Sequence, residues 1–315
     1  MSLLQNGFFL ATLANAILGI SLVWDKVLLG KPKLGDVVNY VFWLGGMSVL
    51  GLLLIPFGFH RTTWAVAALG FGAGLVHLAA NYFYYATLKS GEASQTLAIM
   101  GGFAPLATFV VGIGLLKQPF GGFSGWGFGL MVGGGFLMFL SERIDVKRVL
   151  MLTVLAAITF GFTNVMQKMV FDETNFVTGY VFFTFGTFAG AMLFLVRRSW
   201  RERIFRQSEE TPQRSKFWYF VNRFVNGVGS FLIFLAISRA HPAIVAAISG
   251  LRYVIIFVGA FLITKFYPRW LKETFRGWPL IAKSIATALV AAGLVLVGLK
   301  GGNTSATALL ERLFG

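Results

Sequence analysis

The sequence predicts an all-α polytopic membrane protein in which ten transmembrane helices form two inverted five-helix repeats. The first observation is composition: 57% of the 315 residues are hydrophobic and only 12% are charged. A soluble domain has about 25% charged residues, so much of this surface must face hydrocarbon. The second is an internal repeat, because the pattern of residues 13–46 returns in altered form at residues 155–186. The third is a series of apolar segments long enough to cross a bilayer.

Ten such segments follow one another along the chain. The first five are Gly7–Leu29, Val37–Phe57, Trp64–Leu88, Ala93–Leu116 and Gly121–Leu140. The second five are Val149–Val170, Val177–Val196, Phe217–Ile237, Ala243–Phe266 and Trp278–Leu299. We therefore expect residues 1–145 to form the first repeat, 146–300 the second, and 301–315 a tail.

Small and basic residues carry the repeat. Matched pairs are Leu13 with Leu155, Gly19 with Gly161, Lys26 with Lys168, Ala86 with Ala236, and Ala93 with Ala243. An odd number of spans in each copy places the two copies in the bilayer in opposite orientations. Inverted repeats are the usual construction of secondary transporters, with the binding site where the copies meet.

The net charge of +15 arises mostly from Lys and Arg between the apolar segments. This favours contact with anionic lipid over nucleic acid, which we do not expect as a partner. Most of these residues fall on one side, including those of residues 200–216, which the sequence predicts to be a solvated cytoplasmic loop. By this bias both termini lie outside. We also expect no cleaved signal peptide and localisation to a plasma membrane, the bacterial inner membrane.

Arg252 lies near the middle of the ninth span, with Ser249 and Tyr253 close by in sequence. A charge at that depth requires an internal partner or a water-filled cavity. The sequence leaves two interpretations open: Arg252 contacts an anionic substrate, or it is a structural hydrogen-bond centre.

A polar stripe at helical spacing runs along the third span and includes His77, Asn81 and Tyr84. Its counterpart in the eighth span includes Asn222 and Asn226, next to Arg223, which we expect to reach the headgroups from the end of its span. The stripes fit a cavity for a polar solute, although interhelical hydrogen bonds explain such residues equally well. Further candidate substrate contacts are Asn15, Gln95 and Asn164.

Three residues are candidates for gating. Lys26 and Lys168 occupy equivalent places in the two copies, where each either reaches the headgroups or guards one mouth of a pathway. Pro105 interrupts the hydrogen bonding of the fourth span, either as a common kink or as a hinge. Glycines 125, 129 and 133 share one face of the fifth span, which predicts a packing seam within the monomer or between two copies.

Several classes of function are excluded. The chain has no cysteine, and its three histidines are scattered, so we expect no metal site and no cofactor. No span has an acidic residue near its middle, which argues against proton-driven export of organic cations. Motifs of hydrolases, metalloproteases and nucleotide-binding loops are missing from the sequence, so we do not expect an enzyme.

The glycine and lysine seven residues apart in spans one and six resemble the drug/metabolite transporter superfamily, specifically its ten-helix EamA-like members. So do residues 79–116 and 231–263. The resemblance implies two inverted five-helix repeats that move a small metabolite by alternating access. The acidic residue that often closes the fourth and ninth spans of that family is replaced here by Lys117 and Lys265.

These observations together predict a secondary transporter, with export as the expected direction, for a small polar or anionic metabolite. Two alternatives remain open: a flippase for a lipid-linked anion, and a membrane scaffold or sensor that does not transport. The protein is expected to act as a monomer or a homodimer.

Overall fold

The computed structural model describes residues 6–29, 36–90, 93–116, 123–141 and 147–252, together with separate positions between 255 and 296. The described residues form helices joined by short turns, without strands, and the described positions after 252 are helical. The helices are α1 (Gly7–Leu29), α2 (Val37–Met47), α3 (Trp64–Ser90), α4 (Ala93–Leu116), α5 (Phe123–Ser141), α6 (Lys147–Glu173), α7 (Phe176–Leu193), α8 (Arg198–Glu210), α9 (Gln213–Ile237) and α10 (Pro242–Ile248). The prediction of an all-α protein is confirmed for this part of the chain.

Six helical segments of the described chain are long and apolar enough to cross a membrane. They are Gly7–Leu29, Val37–Phe57, Trp64–Ser90, Val149–Glu173, Phe176–Leu193 and Gln213–Ile237. Shorter apolar helices at Phe103–Leu116, Gly125–Leu137 and Pro242–Arg252 fall within three more predicted spans. The protein is therefore a multi-pass membrane protein by the length and composition of its helices.

The second span is not one uniform α-helix. At Ser48 it changes to a 3₁₀ segment that continues to Phe57. Ser48 Oγ donates to the carbonyl of Gly45 and, at 3.0 Å, to the carbonyl of Thr184 in α7. A Cβ at Gly51 would lie 2.4 Å from Thr184 Oγ1, so glycine allows this segment to touch α7. The thinner 3₁₀ segment borders the cavity described below.

Helices α3 and α7 cross at glycines. A Cβ at Gly74 would lie 2.1 Å from the carbonyl oxygen of Phe183, and one at Gly186 would lie 2.0 Å from that of Phe71. Thr187 Oγ1 adds a hydrogen bond of 3.2 Å to the Gly74 carbonyl. Close approach at small residues is the usual means of helix association in lipid, because hydrocarbon supplies no hydrophobic drive between helices.

The prediction of a solvated loop at residues 200–216 is wrong, because residues 198–210 form helix α8. Its apolar contact uses Trp200 and Ile204, which lie one turn apart. Ile204 is fully buried, and Trp200 stacks on Tyr82 of α3 with ring centroids 6.1 Å apart. The outer face is charged, with ion pairs Arg198–Glu202 and Arg206–Glu210 at helical spacing. Trp200 and Ile204, four residues apart in an otherwise mostly charged segment, are the helical spacing by which the sequence itself indicates this helix.

The glycines of α5 divide between two faces. Gly134 packs on Ala286 and Val290, and Gly127 contacts Gly293, so this face joins the described positions near the C-terminal end. A Cβ at Gly125, Gly129 or Gly133 would meet no described atom within 4 Å. Within the described structure, the monomer's packing seam therefore uses Gly127 and Gly134 rather than the predicted stripe.

Candidate functional site

A cavity of about 430 Å³, here called the central cavity, lies inside the bundle between α3, α7, α9 and α10. Seven of the residues predicted from sequence line it: His77, Asn81, Tyr84, Asn164, Asn226, Ser249 and Arg252. These residues come from α3, α6, α9 and the segment that follows α10, which are distant from one another in the sequence. The packing of the bundle therefore brings the polar stripes of several helices to one enclosed space.

Arg252 reaches the central cavity from the residues that follow α10. Helix α10 ends at Ile248, and Ser249 lies in a turn from which the chain re-enters helix. The Arg252 amide donates to the Ser249 carbonyl at 2.9 Å, and its Nε donates to Asn15 Oδ1 at 2.5 Å. Asn15 is fully buried in α1 and does not itself line the cavity, so it orients the guanidinium from behind.

His77 stands among aromatic rings on one wall. The ring centroids of Phe160, Phe183 and Phe234 lie 5.6, 5.0 and 5.7 Å from that of His77. Its Nδ1 is buried and makes no hydrogen bond with the described residues. Because a buried imidazole nitrogen without a partner is costly, this atom is available to a solute in the cavity.

The asparagine side chains around the cavity donate hydrogen bonds to residues of their own or an adjacent helix. Asn81 Nδ2 donates to the His77 carbonyl at 2.8 Å, and Asn164 Nδ2 donates to Thr108 Oγ1 at 3.4 Å. Asn226 Nδ2 donates to Ser21 Oγ of α1 at 3.3 Å. Their carbonyl oxygens and remaining N–H groups leave the wall polar while the helices stay joined.

A buried ion pair closes the end of the cavity where α8 packs. Arg223 of α9 pairs with Asp25 of α1, and both side chains are almost fully buried. Asp25 also accepts from Tyr40 Oη at 2.5 Å, Tyr85 Oη at 3.0 Å and Asn222 Nδ2 at 2.5 Å. Tyr219 completes what we call the Asp25 cluster: Asp25, Arg223, Asn222 and the three tyrosines.

The tyrosines satisfy Arg223 as well as Asp25. Arg223 Nη1 donates to Tyr85 Oη at 2.7 Å, so this hydroxyl links the two charged groups. The guanidinium carbon lies 5.0, 5.4 and 5.5 Å from the ring centroids of Tyr40, Tyr85 and Tyr219. Tyr219 Oη donates to the Tyr40 carbonyl at 2.7 Å, which ties α9 to α2.

Two sequence-based expectations are corrected here. Arg223 does not reach towards headgroups, because its side chain is 2% exposed. Asn222, predicted as a substrate contact, holds Asp25 and the Ser21 carbonyl instead. The sequence did not single out Asp25 as a site residue, because Lys26 follows it at the end of the span. Adjacent residues on a helix nevertheless point in different directions. The helical spacing of Asn15, Leu18, Leu22 and Asp25 indicates that Asp25 lies on the same face as Asn15.

The remaining predicted residues lie away from the cavity or outside the described side chains. Lys168 forms an ion pair of 2.6 Å with Asp172 one turn later, and its own side chain is 12% exposed. Burial, with a smaller effect of Lys168, lowers the pKa of nearby His241 at the start of α10. Pro105 lies within α4, whose helix continues through it. The side chains of Lys26, Gln95 and Tyr253 lie outside the described residues.

The cavity also opens sideways between the 3₁₀ segment and α9. At the α8 end, α2 and α9 meet, with the ring centroids of Trp43 and Phe220 5.6 Å apart. Further along, Leu50, Phe224 and Val228 line the cavity and are nevertheless 48%, 63% and 40% exposed. Apolar side chains that face both the interior and the lipid side form a slit through the wall.

The charge of the central cavity is positive. Arg223 and Arg252 are among its lining residues, whereas no described lining residue is Asp or Glu. Asp25 lies behind Arg223 and neutralises it in this conformation. Since the described lining includes Arg252 and no carboxylate, the cavity suits an anion better than a cation.

No family model and no curated protein matches this chain. Among solved structures, one described as "Crystal structure of protein" covers 100% of this chain and 100% of its own, with a TM-score of 0.60. The two chains are 15% identical, so the likeness concerns the fold alone.

Proposed function

We propose that this chain is a secondary transporter of a small anionic metabolite, built as ten spans in two inverted five-helix repeats of the drug/metabolite transporter type. The observation that carries the proposal is a central cavity of about 430 Å³ with Arg252 on its wall and no described acidic lining residue. Small-molecule sites occupy about 300–1,000 Å³, so a single metabolite fits this volume. The proposed location is the plasma membrane, which in bacteria is the inner membrane.

Helix contacts support the inverted repeat. A Cβ at Gly19 would lie 3.0 Å from Ile255, and one at its repeat partner Gly161 would lie 3.0 Å from Ala107. Ala107 and Ile255 belong to the fourth and ninth spans, which are themselves repeat partners. The first span of each copy therefore packs, at an equivalent glycine, against the fourth span of the other copy.

Arg252 is the group that selects an anion. A unit charge 4 Å from a guanidinium is stabilised by about 4 kcal/mol at an effective dielectric constant near 20. Part of this energy offsets dehydration of the anion. Loss of the charge in Arg252→Gln is therefore expected to weaken anion binding about 100-fold, or about 2.7 kcal/mol.

A ligand-stabilisation screen over anionic, neutral and cationic metabolites tests the proposal. An anion present at 100 times its dissociation constant stabilises the native protein by about 2.7 kcal/mol. We expect a subset of anions to raise the melting temperature of the native protein and not that of Arg252→Gln. Stabilisation by cations alone, or equal stabilisation of both proteins, contradicts it.

The slit between the 3₁₀ segment and α9 favours a second candidate, a flippase for a lipid-linked anion. An acyl or isoprenoid chain could remain in lipid beside Leu50 and Phe224 while the anionic head enters the cavity. Mass spectrometry of the purified protein distinguishes the two. A stoichiometric anionic lipid favours the flippase, and a water-soluble metabolite favours the transporter.

A further inference from the structure

The Asp25 cluster lies between two cavities. Tyr85 and Arg223 line the central cavity, whereas Tyr40 and Tyr219 line a second pocket of about 190 Å³. This side pocket is also lined by Thr211 and Lys216, from the connection after α8 and the start of α9, and by Asn39, Trp43 and Phe220. Because members of one hydrogen-bonded cluster line both spaces, the cluster is the wall between the central cavity and the α8 end of the protein.

Arg223 still has a donor to offer. Its two terminal nitrogens donate to Tyr85, Asp25 and Tyr40. Its Nε is buried and makes no hydrogen bond with the described residues, and the residue lines the central cavity. A guanidinium has five N–H donors and matches anions in a forked geometry, so Arg223 can engage an anion before it releases Asp25.

The two arginines contact α1 at two different points along its length. Arg252 is held at Asn15 and Arg223 at Asp25, and these helix residues are about 15 Å apart at 1.5 Å per residue. A small anion at Arg252 is thus too distant to contact Arg223 at the same time. It would meet Arg223 on its way towards the α8 end.

We propose that the Asp25–Arg223 pair is the closed gate at the α8 end of the central cavity, and that an anion opens it by taking Arg223 from Asp25. The exchange keeps the guanidinium beside a negative charge throughout, whereas opening without an anion leaves both buried groups alone. An anion-selective pathway is thereby closed when no anion is present. This inference rests on the proposed transport, but the gate can be tested without a known substrate.

The absence of cysteine from the sequence makes the gate measurable by single-cysteine labelling. Ser230→Cys places a thiol on the cavity wall, at a half-buried residue two turns further along α9 from Arg223. Glu209→Cys, on the exposed part of α8, identifies the vesicles whose outer face is the α8 end. A membrane-impermeant maleimide is then added outside such vesicles.

We expect Ser230→Cys to be protected when Asp25 and Arg223 are both present. In the double variant Asp25→Asn/Arg223→Gln the labelling rate should rise at least tenfold. The double variant is chosen because it leaves no lone buried charge and should therefore fold, which a melting curve verifies. Equal labelling rates in the two backgrounds overturn the gate.

Tyr85→Phe provides a second test without any change of charge. It removes the hydroxyl that joins Arg223 to Asp25, so the labelling rate should rise severalfold. The matched control is Tyr82→Phe on the same helix, where the ring stacks on Trp200 outside the cluster. A rate that rises in both variants, or in neither, contradicts the assignment.

The exchange itself is tested with sulfate, inorganic phosphate and malonate, each loaded inside the vesicles at constant ionic strength. At least one of them should accelerate labelling of Ser230→Cys in the native background. The same anion should have no effect on the double variant, which is already open. If no anion changes the native rate, exchange is overturned. If the proposed transport is wrong but the gate exists, the labelling rates follow these predictions while no anion flux is measured.

Discussion

Neutralising one member of the Asp25–Arg223 pair should destabilise the protein far more than neutralising both. Asp25→Asn leaves the Arg223 guanidinium buried without a counter-charge. Arg223→Gln leaves the Asp25 carboxylate buried, although Tyr40, Tyr85 and Asn222 still donate to it. Removing one partner of a buried pair costs about 3–5 kcal/mol, and replacing both can be nearly neutral.

The two single variants should differ in a defined direction. Asp25→Asn should cost about 4–5 kcal/mol, because it leaves the buried guanidinium without a counter-charge. Arg223→Gln should cost about 3 kcal/mol, because three side chains still donate to the Asp25 carboxylate. The double variant should lose about 1 kcal/mol, which gives a coupling energy of several kcal/mol.

Reversible unfolding in mixed detergent and dodecyl sulfate, followed by tryptophan fluorescence, measures these free energies. The control is the Lys168–Asp172 pair, where the Asp172 side chain is 40% exposed. Asp172→Asn should cost only about 0.3–0.5 kcal/mol, as for other pairs one turn apart on a helix. Additive costs for Asp25→Asn and Arg223→Gln would refute the argument that the two charges stabilise each other.

Three further predictions concern packing, the α8 helix and the cavity. Gly74→Ala should cost about 1–3 kcal/mol of stability, because its Cβ meets the Phe183 carbonyl. Gly72→Ala should cost little, because its Cβ would lie 3.6 Å from the flexible end of Met166. Thermal melts compare the two variants, and equal effects contradict the close crossing of α3 and α7 at Gly74. Trp200→Ala should release α8 from the bundle and speed trypsin cleavage within it. Phe205→Ala, at a residue that is 54% exposed, should not change the cleavage rate. Unchanged cleavage in Trp200→Ala would mean that other contacts hold α8. Asn15→Asp should give Arg252 a resident carboxylate and abolish stabilisation by anions; retained stabilisation would mean that the anion binds elsewhere.

Much of the fold could be predicted because its largest elements depend on length and hydrophobicity. Helices α1 and α4 have the bounds that the apolar segments predict. The change to 3₁₀ at Ser48 could not be predicted, since it depends on contact with Thr184 from a distant helix. Helix α8 was not predicted because its charges outweigh its few apolar residues, although Trp200 and Ile204 have helical spacing; the helix packs against α2, and Trp200 stacks on Tyr82 of α3.

The site was predicted where a polar residue interrupts an apolar helix. His77, Asn81, Asn164 and Arg252 stand out in this way, and the structure places all of them on one cavity. Asp25 and Arg223 did not stand out, because each is close to the end of its span, where charges normally meet headgroups. Only the packing of α1 against α9, which brings together residues far apart in sequence, distinguishes a buried pair from two exposed charges.

Flux through the reconstituted protein tests the central claim most directly. Liposomes containing the native protein are loaded with the anion that best stabilises it, and its exchange is compared with that in Arg252→Gln liposomes. The proposal predicts saturable exchange by the native protein and a specific rate at low anion concentration at least tenfold lower for Arg252→Gln. Equal rates for the two proteins, or anion flux no faster than in protein-free liposomes, would contradict it.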